Sequence, residues 1–294
     1  MQKLSPCILP LMLIAFAGCN TCPKSGGYFG PTDSMDRVVA DINANNEKIP
    51  SLWSSLYYRA NIVDEKKQEH SLNGEGVFLY RQPNDLRLIG RMAPVQTIFD
   101  IGSNREGYWL RVIPQISTMW YGRYQDLANA DLRAQHIPIR PDLVMGVLTV
   151  ATINTNFSQL PAPTMRFNNE KDAYMFVWIT RLPDRWLAYR EVWYDRATRR
   201  PTLVILYDGD GRAVIRAELG LYKPVPVPNL PKEKWPQVAT DYKLTFPDTG
   251  STMQFTLSDD LALSNRGAPN NASFTMPNPQ QADVDHAVRI GKSE

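Results

Sequence analysis

Beyond residue 34 the apolar positions recur with two different periods. Val38, Val39 and Ile42 fall at helical spacing with Ile49 two turns on, while Asp36, Asp41 and Glu47 take the opposite face. Asp33 or Ser34 supplies a cap ahead of Met35, and Pro50 stops the helix. From Leu52 the period shortens to two. β-like runs at 55–63, 72–81, 86–90, 96–101, 108–113 and 118–124 are separated by polar turns such as Asp64-Glu65-Lys66-Lys67 and Pro83-Asn84-Asp85. A second helix is expected from Pro141 to Val150, with Pro141 in its first turn and Leu143, Val144, Val147 and Leu148 making it apolar on nearly all sides. Strand patterns resume at 173–181, 186–194, 203–207 and 214–221. Between the last two, Asp208-Gly209-Asp210-Gly211 is the strongest hairpin signal in the chain, because such residues tolerate the positive φ of tight turns. A proline-rich crossing at 224–236 leads to final strands at 242–247 and 253–257. The spacing predicts a meander in one mainly β (α+β) domain, with no βαβ crossover.

The first nineteen residues follow neither period. Lys3 precedes an apolar run from Ile8 to Phe16 of about nine residues, far short of the ~20 that span a bilayer. Phe16-Ala17-Gly18-Cys19 resembles the lipobox of bacterial lipoproteins. That resemblance implies cleavage before Cys19, lipid on its thiol and acylation of its new amine. Residues 1–18 are then a lipoprotein signal peptide, 19–34 a lipidated flexible tether, 35–278 the folded domain and 279–294 a mobile polar tail. Asn20 lacks the Asp that holds some enterobacterial lipoproteins at the inner membrane, so the expected location is the outer membrane, facing the periplasm.

The anchor changes how composition is read. Losing residues 1–18 removes Lys3 and no acid, leaving a net charge of about +1 and no broad basic face for nucleic acid. Of three cysteines, Cys7 leaves with the signal and Cys19 carries lipid. Cys22 is then alone in the tether, and no intramolecular disulfide can form. The apolar stretch 143–153 is too short to span a membrane.

Candidate chemistry is sparse. His70, His136 and His286 are far apart in sequence, and none has a partner at metal-pair spacing. No Gly-x-Ser-x-Gly elbow supplies a nucleophile. Asp208-x-Asp210-Gly211 opens like a calcium loop, but Leu219 stands where the twelfth-position Glu belongs, so a plain turn is expected. No catalytic residue, metal or cofactor is assigned. Trp109, Trp120, Trp178, Trp186 and Trp193 lie on predicted strands. Two readings fit them: core packing, or an apolar concave wall for acyl chains.

The order of elements resembles the lipoprotein-localisation family, the LolA/LolB-like carriers and receptors. The residues that carry the likeness are Gly74-Glu75-Gly76 opening a strand that closes at Arg81-Gln82-Pro83, Thr97-Ile98-Phe99-Asp100 followed by Tyr108-Trp109-Leu110, and the late hairpin from Pro201 to Gly209. The resemblance implies an open, strongly curved antiparallel half-barrel of about eleven or twelve strands covered by a helical lid. It implies a non-enzymatic protein that binds a hydrophobic ligand, either free lipid or the acyl chains of another lipoprotein. The implied lining is Trp109, Trp120, Leu143, Val144, Val147, Leu148, Trp178 and Trp193. Arg81 takes the position of a lid-contacting arginine, with Gln82 inserted before Pro83. The partners expected are the membrane, through lipid on Cys19, and the ligand, with the protein itself a monomer. The other reading is a structural or adaptor lipoprotein that uses the curved sheet to bind protein.

Cys19→Ser is expected to abolish acyl labelling and to move the protein from the membrane to the soluble fraction, because stable anchoring needs more than one chain. Retention after a high-pH wash would refute the lipobox reading.

Overall fold

The computed structural model describes residues 27–92, 96–114, 116–129, 137–263 and 269–291. The expected signal peptide, Cys19 and Cys22 lie outside the described residues, as does His136. Helix α1, Met35–Asn46, is capped by Ser34, whose hydroxyl accepts from the Arg37 amide, and it buries Val38, Val39, Ile42, Asn43 and Asn46. It ends four residues before Pro50, so Ile49 packs in the core from the connecting turn.

Strands β1 (Ser51–Val63), β2 (Glu69–Arg81), β3 (Asp85–Met92), β4 (Gln96–Ser103), β5 (Gly107–Val112) and β6 (Thr118–Arg123) form the first meander. After helix α2 (Pro141–Val147), β7 (Ala162–Asn168), β8 (Ala173–Arg181), β9 (Trp186–Asp195), β10 (Pro201–Tyr207) and β11 (Ala213–Gly220) form the second. The pair β12 (Lys223–Pro224) and β13 (Gln237–Val238) makes a small separate sheet at the proline-rich crossing. Strands β14 (Asp241–Phe246) and β15 (Ser251–Leu257) return to the main sheet, and β16 (His286–Arg289) lies near the chain end.

Fourteen strands make one sheet in the order β16-β6-β5-β4-β3-β2-β1-β15-β14-β11-β10-β9-β8-β7. The β1–β15 pairing is the seam that joins the two meanders, with Leu56 opposite Leu257 and Tyr58 opposite Phe255. All pairs are antiparallel except β16 on β6. The sheet is open and curled, with β7 at one edge and β16 at the other. Two of its strands, β7 and β16, have no counterpart among the runs the sequence pattern predicts. The hairpin at Asp208 is as expected: its carboxylate accepts from the amides of Asp210 and Arg212, and Gly211 takes φ +78°.

The two faces divide cleanly because side chains alternate along a strand. One inner row runs through Leu56, Gly76, Gly90, Phe99, Val112 and Thr118 in successive register. Glycine is required within it. A Cβ on Gly76 would lie 2.0 Å from the Ile89 carbonyl oxygen, and one on Gly90 would lie 2.2 Å from the Phe99 ring. The room left at Gly90 seats Phe99, which meets Tyr58 edge-on at 4.6 Å.

On the outer face, residues 269–291 form a strap across β3 to β6. Arg81, Arg87, Asn104 and Arg111 donate to its carbonyls at Pro269, Ser273, Phe274 and Ala282. Beneath it Asp100, 1% exposed, accepts from Arg87 twice and from the Trp109 indole. Part of the expected mobile tail is therefore structured: 286–289 pair with β6, and the Ile290 side chain is fully buried. Part of the expected tether is likewise placed, since the Tyr28 amide donates to Asn169 and Arg196 stacks on the Tyr28 ring.

Gly76→Ala is expected to destabilise the fold by about 1–3 kcal/mol, since the clash is with backbone at the bend of the central strands. Gly209→Ala, where nothing lies within 4 Å, should stay within about 0.5 kcal/mol. Equal denaturation midpoints for the two variants would contradict this account of the bend.

Candidate functional site: the concave face and its edge cavity

The concave face is mainly apolar, and helices lie against it. Helix α2 packs on β4 and β5 at one side and on β10 at the other. Val144 and Val147 are fully buried and Leu148 is 2% exposed, in one core with Val38, Val39 and Ile42 of α1. Leu143 is half-buried against that core. The helix stops at Val147, three residues short of the expected end, and the chain from Thr149 to Ile153 is tied to α1 instead. Asn43 exchanges two hydrogen bonds with Ile153, while Asn46 donates to the carbonyls of Thr149 and Ala151. Those buried amides satisfy backbone that leaves the helix without a ladder partner.

Among the described residues, the helices do not fill the whole concavity. At the β6–β16 edge a cavity of about 700 Å³ lies open on one side, a size typical of small-ligand sites (about 300–1,000 Å³). Its apolar wall is Ile116, Trp120, Pro138 and Val288. Pro138 stands just ahead of α2, so the lid segment borders the cavity. Its polar rim comes from the β1–β2 turn (Asp64, Glu65, Lys66, Gln68, His70) and from Asp285 and His286. Register explains the composition, because Thr118 and Trp120 on β6 stand opposite His286 and Val288 on β16.

Rim electrostatics centre on Asp64. Its carboxylate accepts from His70 Nε2 and from the amides of Lys66 and Gln68, all at 2.9 Å. The His70 hydrogen bond, followed by the Gln68 amide, holds its carboxyl below the usual carboxylate range. Within the wall, the Thr118 hydroxyl donates to the Ile116 carbonyl. Trp120 is 3% exposed, and its indole N–H is buried with no acceptor among the described residues.

The expected lining residues separate into three groups. Trp120 alone lines the cavity. Leu143, Val144, Val147 and Leu148 occupy the concave face as filler, and Trp178 lies there beside Phe176, beneath the Arg190 guanidinium. Trp109 and Trp193 do not face the concavity. Trp109 aligns with Gly102 and Tyr121 on the outer face and is sealed under the strap with Met119 and Ala282. Trp193, aligned with Met175, is half-buried on the outer face and donates to Glu191. Arg81 touches the strap rather than the lid: it pairs with Asp85, bonds Pro269 and stacks over Phe274. The sequence reading also missed that His70 and His286 share one cavity. Among the described residues no three His, Cys, Asp or Glu side chains are arranged to hold a metal ion.

No family model and no curated protein matches the chain. Solved structures are similar to it. One, a DUF1329 family protein from Desulfovibrio piger, is 10% identical with a TM-score of 0.50, covering 83% of this chain and 100% of its own. A LolA superfamily protein from Nitrosomonas europaea is 13% identical (TM-score 0.48, 83% and 99% covered). An outer membrane lipoprotein-sorting protein domain from Vibrio parahaemolyticus is 14% identical (TM-score 0.47, 81% and 94% covered). The fold is like that of the Desulfovibrio piger DUF1329 family protein. At such identities the likeness is one of architecture, and the cavity is described by this chain's own residues.

Because the Asp64 carboxyl is lowered in the folded protein, the stability it contributes is present above its ordinary value of 3.8 and lost as pH falls through the lowered one. Thermal melts of Asp64→Asn should therefore show a deficit that persists from neutral pH to about pH 4 and closes below it. A deficit that grows in acid would contradict this assignment.

Proposed function

We propose that this protein is a lipid-anchored bacterial envelope protein that holds a hydrophobic ligand in its half-barrel and acts in lipid or lipoprotein trafficking without catalysing a reaction. The observation that carries the reading is the cavity: an apolar wall on the concave face, open to solvent at one edge and bordered by the segment that leads into α2. The lipobox-like Phe16-Ala17-Gly18-Cys19 supports a membrane-anchored setting in which such a ligand is at hand. Trp120 borders that cavity, and Trp178 extends the apolar surface further along the same face.

A ligand longer than the cavity has to displace lid residues. Val144, Val147 and Leu148 are fully sequestered, and each such side chain is worth roughly 1.5–3 kcal/mol when buried. Cargo therefore competes with the lid for one apolar face, and the cost of opening sets a modest affinity. That same filling favours the second reading, an adaptor that binds protein on its outer surface. There a groove of about 690 Å³ with exposed Tyr57 and Met92 crosses the glycine bend.

Replacing Val147 and Leu148 with Ser is expected to lower thermal stability by several kcal/mol and to raise binding of an environment-sensitive lipid probe. Lower stability with unchanged probe binding would mean that α2 is ordinary core, and the adaptor reading would stand in its place.

A further inference from the structure

A second cavity, of about 230 Å³, lies between α1 and the β9–β10 turn. It is about a third the size of the β6–β16 cavity and shares no lining residue with it. The sheet makes room there, because the β9–β10 register shifts between Pro201 and Leu203. Ile42 of α1, Leu148 and Val150 beyond α2, and Val238 of β13 form the apolar side. Tyr194 of β9 lines the cavity while only 2% exposed, its ring edge-on to Phe176 at 5.5 Å. Its hydroxyl makes no hydrogen bond among the described residues, yet it is not sealed from water as the unpartnered hydroxyls of Tyr80 and Tyr108 are. The small area that Tyr194 leaves open therefore includes its hydroxyl. Buried polar groups in native proteins are nearly always partnered, so a phenol that ends unpaired at a cavity is a donor available to an occupant.

Two guanidinium groups reach the same cavity, and only one is committed. Arg199 pairs with Asp33 and with Asp41, which also lines the cavity. Arg200 has no carboxylate partner among the described residues and lies over the Tyr222 ring, 5.3 Å from its centroid. The Tyr222 hydroxyl donates to the Pro201 carbonyl. Burial raises the pKa of that hydroxyl, Tyr242 and Tyr194 raise it further and Arg200 lowers it, so the Tyr194 phenol and the Arg200 charge both act on one point. Gln237, half-buried, ties its backbone to Asn45 and leaves its side-chain amide unpaired among the described residues. The uncommitted groups are thus a guanidinium, a phenol and an amide, which together suit an anion. One spare positive charge beside Asp41 matches a single negative charge and disfavours a dianion. The apolar side then has to be covered by the rest of the ligand. We infer that this cavity binds a small monocarboxylic acid, its carboxylate on Arg200 and Tyr194 and its compact apolar body against Ile42, Leu148 and Val238. The volume falls below the ~300–1,000 Å³ of drug-sized ligand sites, and the inference stands apart from the lipid-binding reading.

The test is calorimetric titration of the full-length protein carrying Cys19→Ser. Four ligands are compared: benzoate, 3-methylbutanoate, benzamide and phenylphosphonate. Benzamide keeps the ring of benzoate and replaces the carboxylate with a neutral amide, while phenylphosphonate carries a second negative charge. At least one of the two acids should bind about tenfold more tightly than benzamide, because a charge-assisted pair with a guanidinium is lost in the amide. Phenylphosphonate should bind more weakly than the acid. Arg200→Gln, which removes the cation, and Tyr194→Phe, which keeps the buried ring and removes the donor, should each weaken the acid about tenfold. Equal binding of acid and amide, acid binding that both variants leave unchanged, or no binding of either acid would overturn the inference. Tighter binding of phenylphosphonate would overturn the carboxylate class. If one variant does not fold, the other decides together with the comparison of benzoate and benzamide on the unsubstituted cavity.

Discussion

The structure depends on one constraint: a long open sheet has an apolar concave face that must be covered without a second sheet. Helix α2 answers it by lying between distant parts of one sheet, touching β4 and β5 on one side and β10 on the other. At seven residues it is roughly 10 Å long, so the sheet has to curl tightly for both contacts to form. Curling in turn needs inner positions without side chains, which Gly76 and Gly90 provide. Helix α1 then locks the chain beyond α2 through Asn43 and Asn46. Curvature, lid and core are thus one arrangement, and loosening α2 should be felt in all three.

The outer face meets the opposite problem. Asp100 is buried there, and a buried carboxylate is tolerable only when paired and hydrogen-bonded. Arg87 and Trp109 satisfy it, while neighbouring arginines hold the strap through its backbone carbonyls. The strap has a second effect at a distance. It delivers β16 to the open edge of β6, where a bare strand would invite pairing with another chain. The same strand places His286 and Val288 on the concave side, so the segment that seals the outer face also completes the wall of the inner cavity.

Much of the fold was legible in the sequence because period-two runs and Asp-Gly turns are local signals. The helix at Met35, both meanders and the greasy helix at Pro141 follow from spacing alone. What escaped was long-range. His286 sits in a polar tail with no strand-like run around it, and only the pairing of β16 with β6 brings it to the cavity that His70 shares. The assignment of the tryptophans failed for a related reason. Trp109 and Trp120 both lie on apolar strands, and which face each takes depends on register, not on composition. The buried Asp100 gave no warning either, since its partners Arg87 and Trp109 are spread over two other strands.

On the proposed reading, cargo enters beside Pro138, just ahead of α2, against the apolar wall of Ile116, Trp120 and Val288. The most direct measurement is photocrosslinking with a palmitoylglycerol carrying a diazirine near its ester, followed by peptide mapping of the labelled, soluble Cys19→Ser protein. Adducts confined to residues 116–120 and 286–288, and competed away by unlabelled palmitoylglycerol, are the predicted result. Labelling concentrated on the outer groove around Tyr57 and Met92, or scattered without competition, would contradict it.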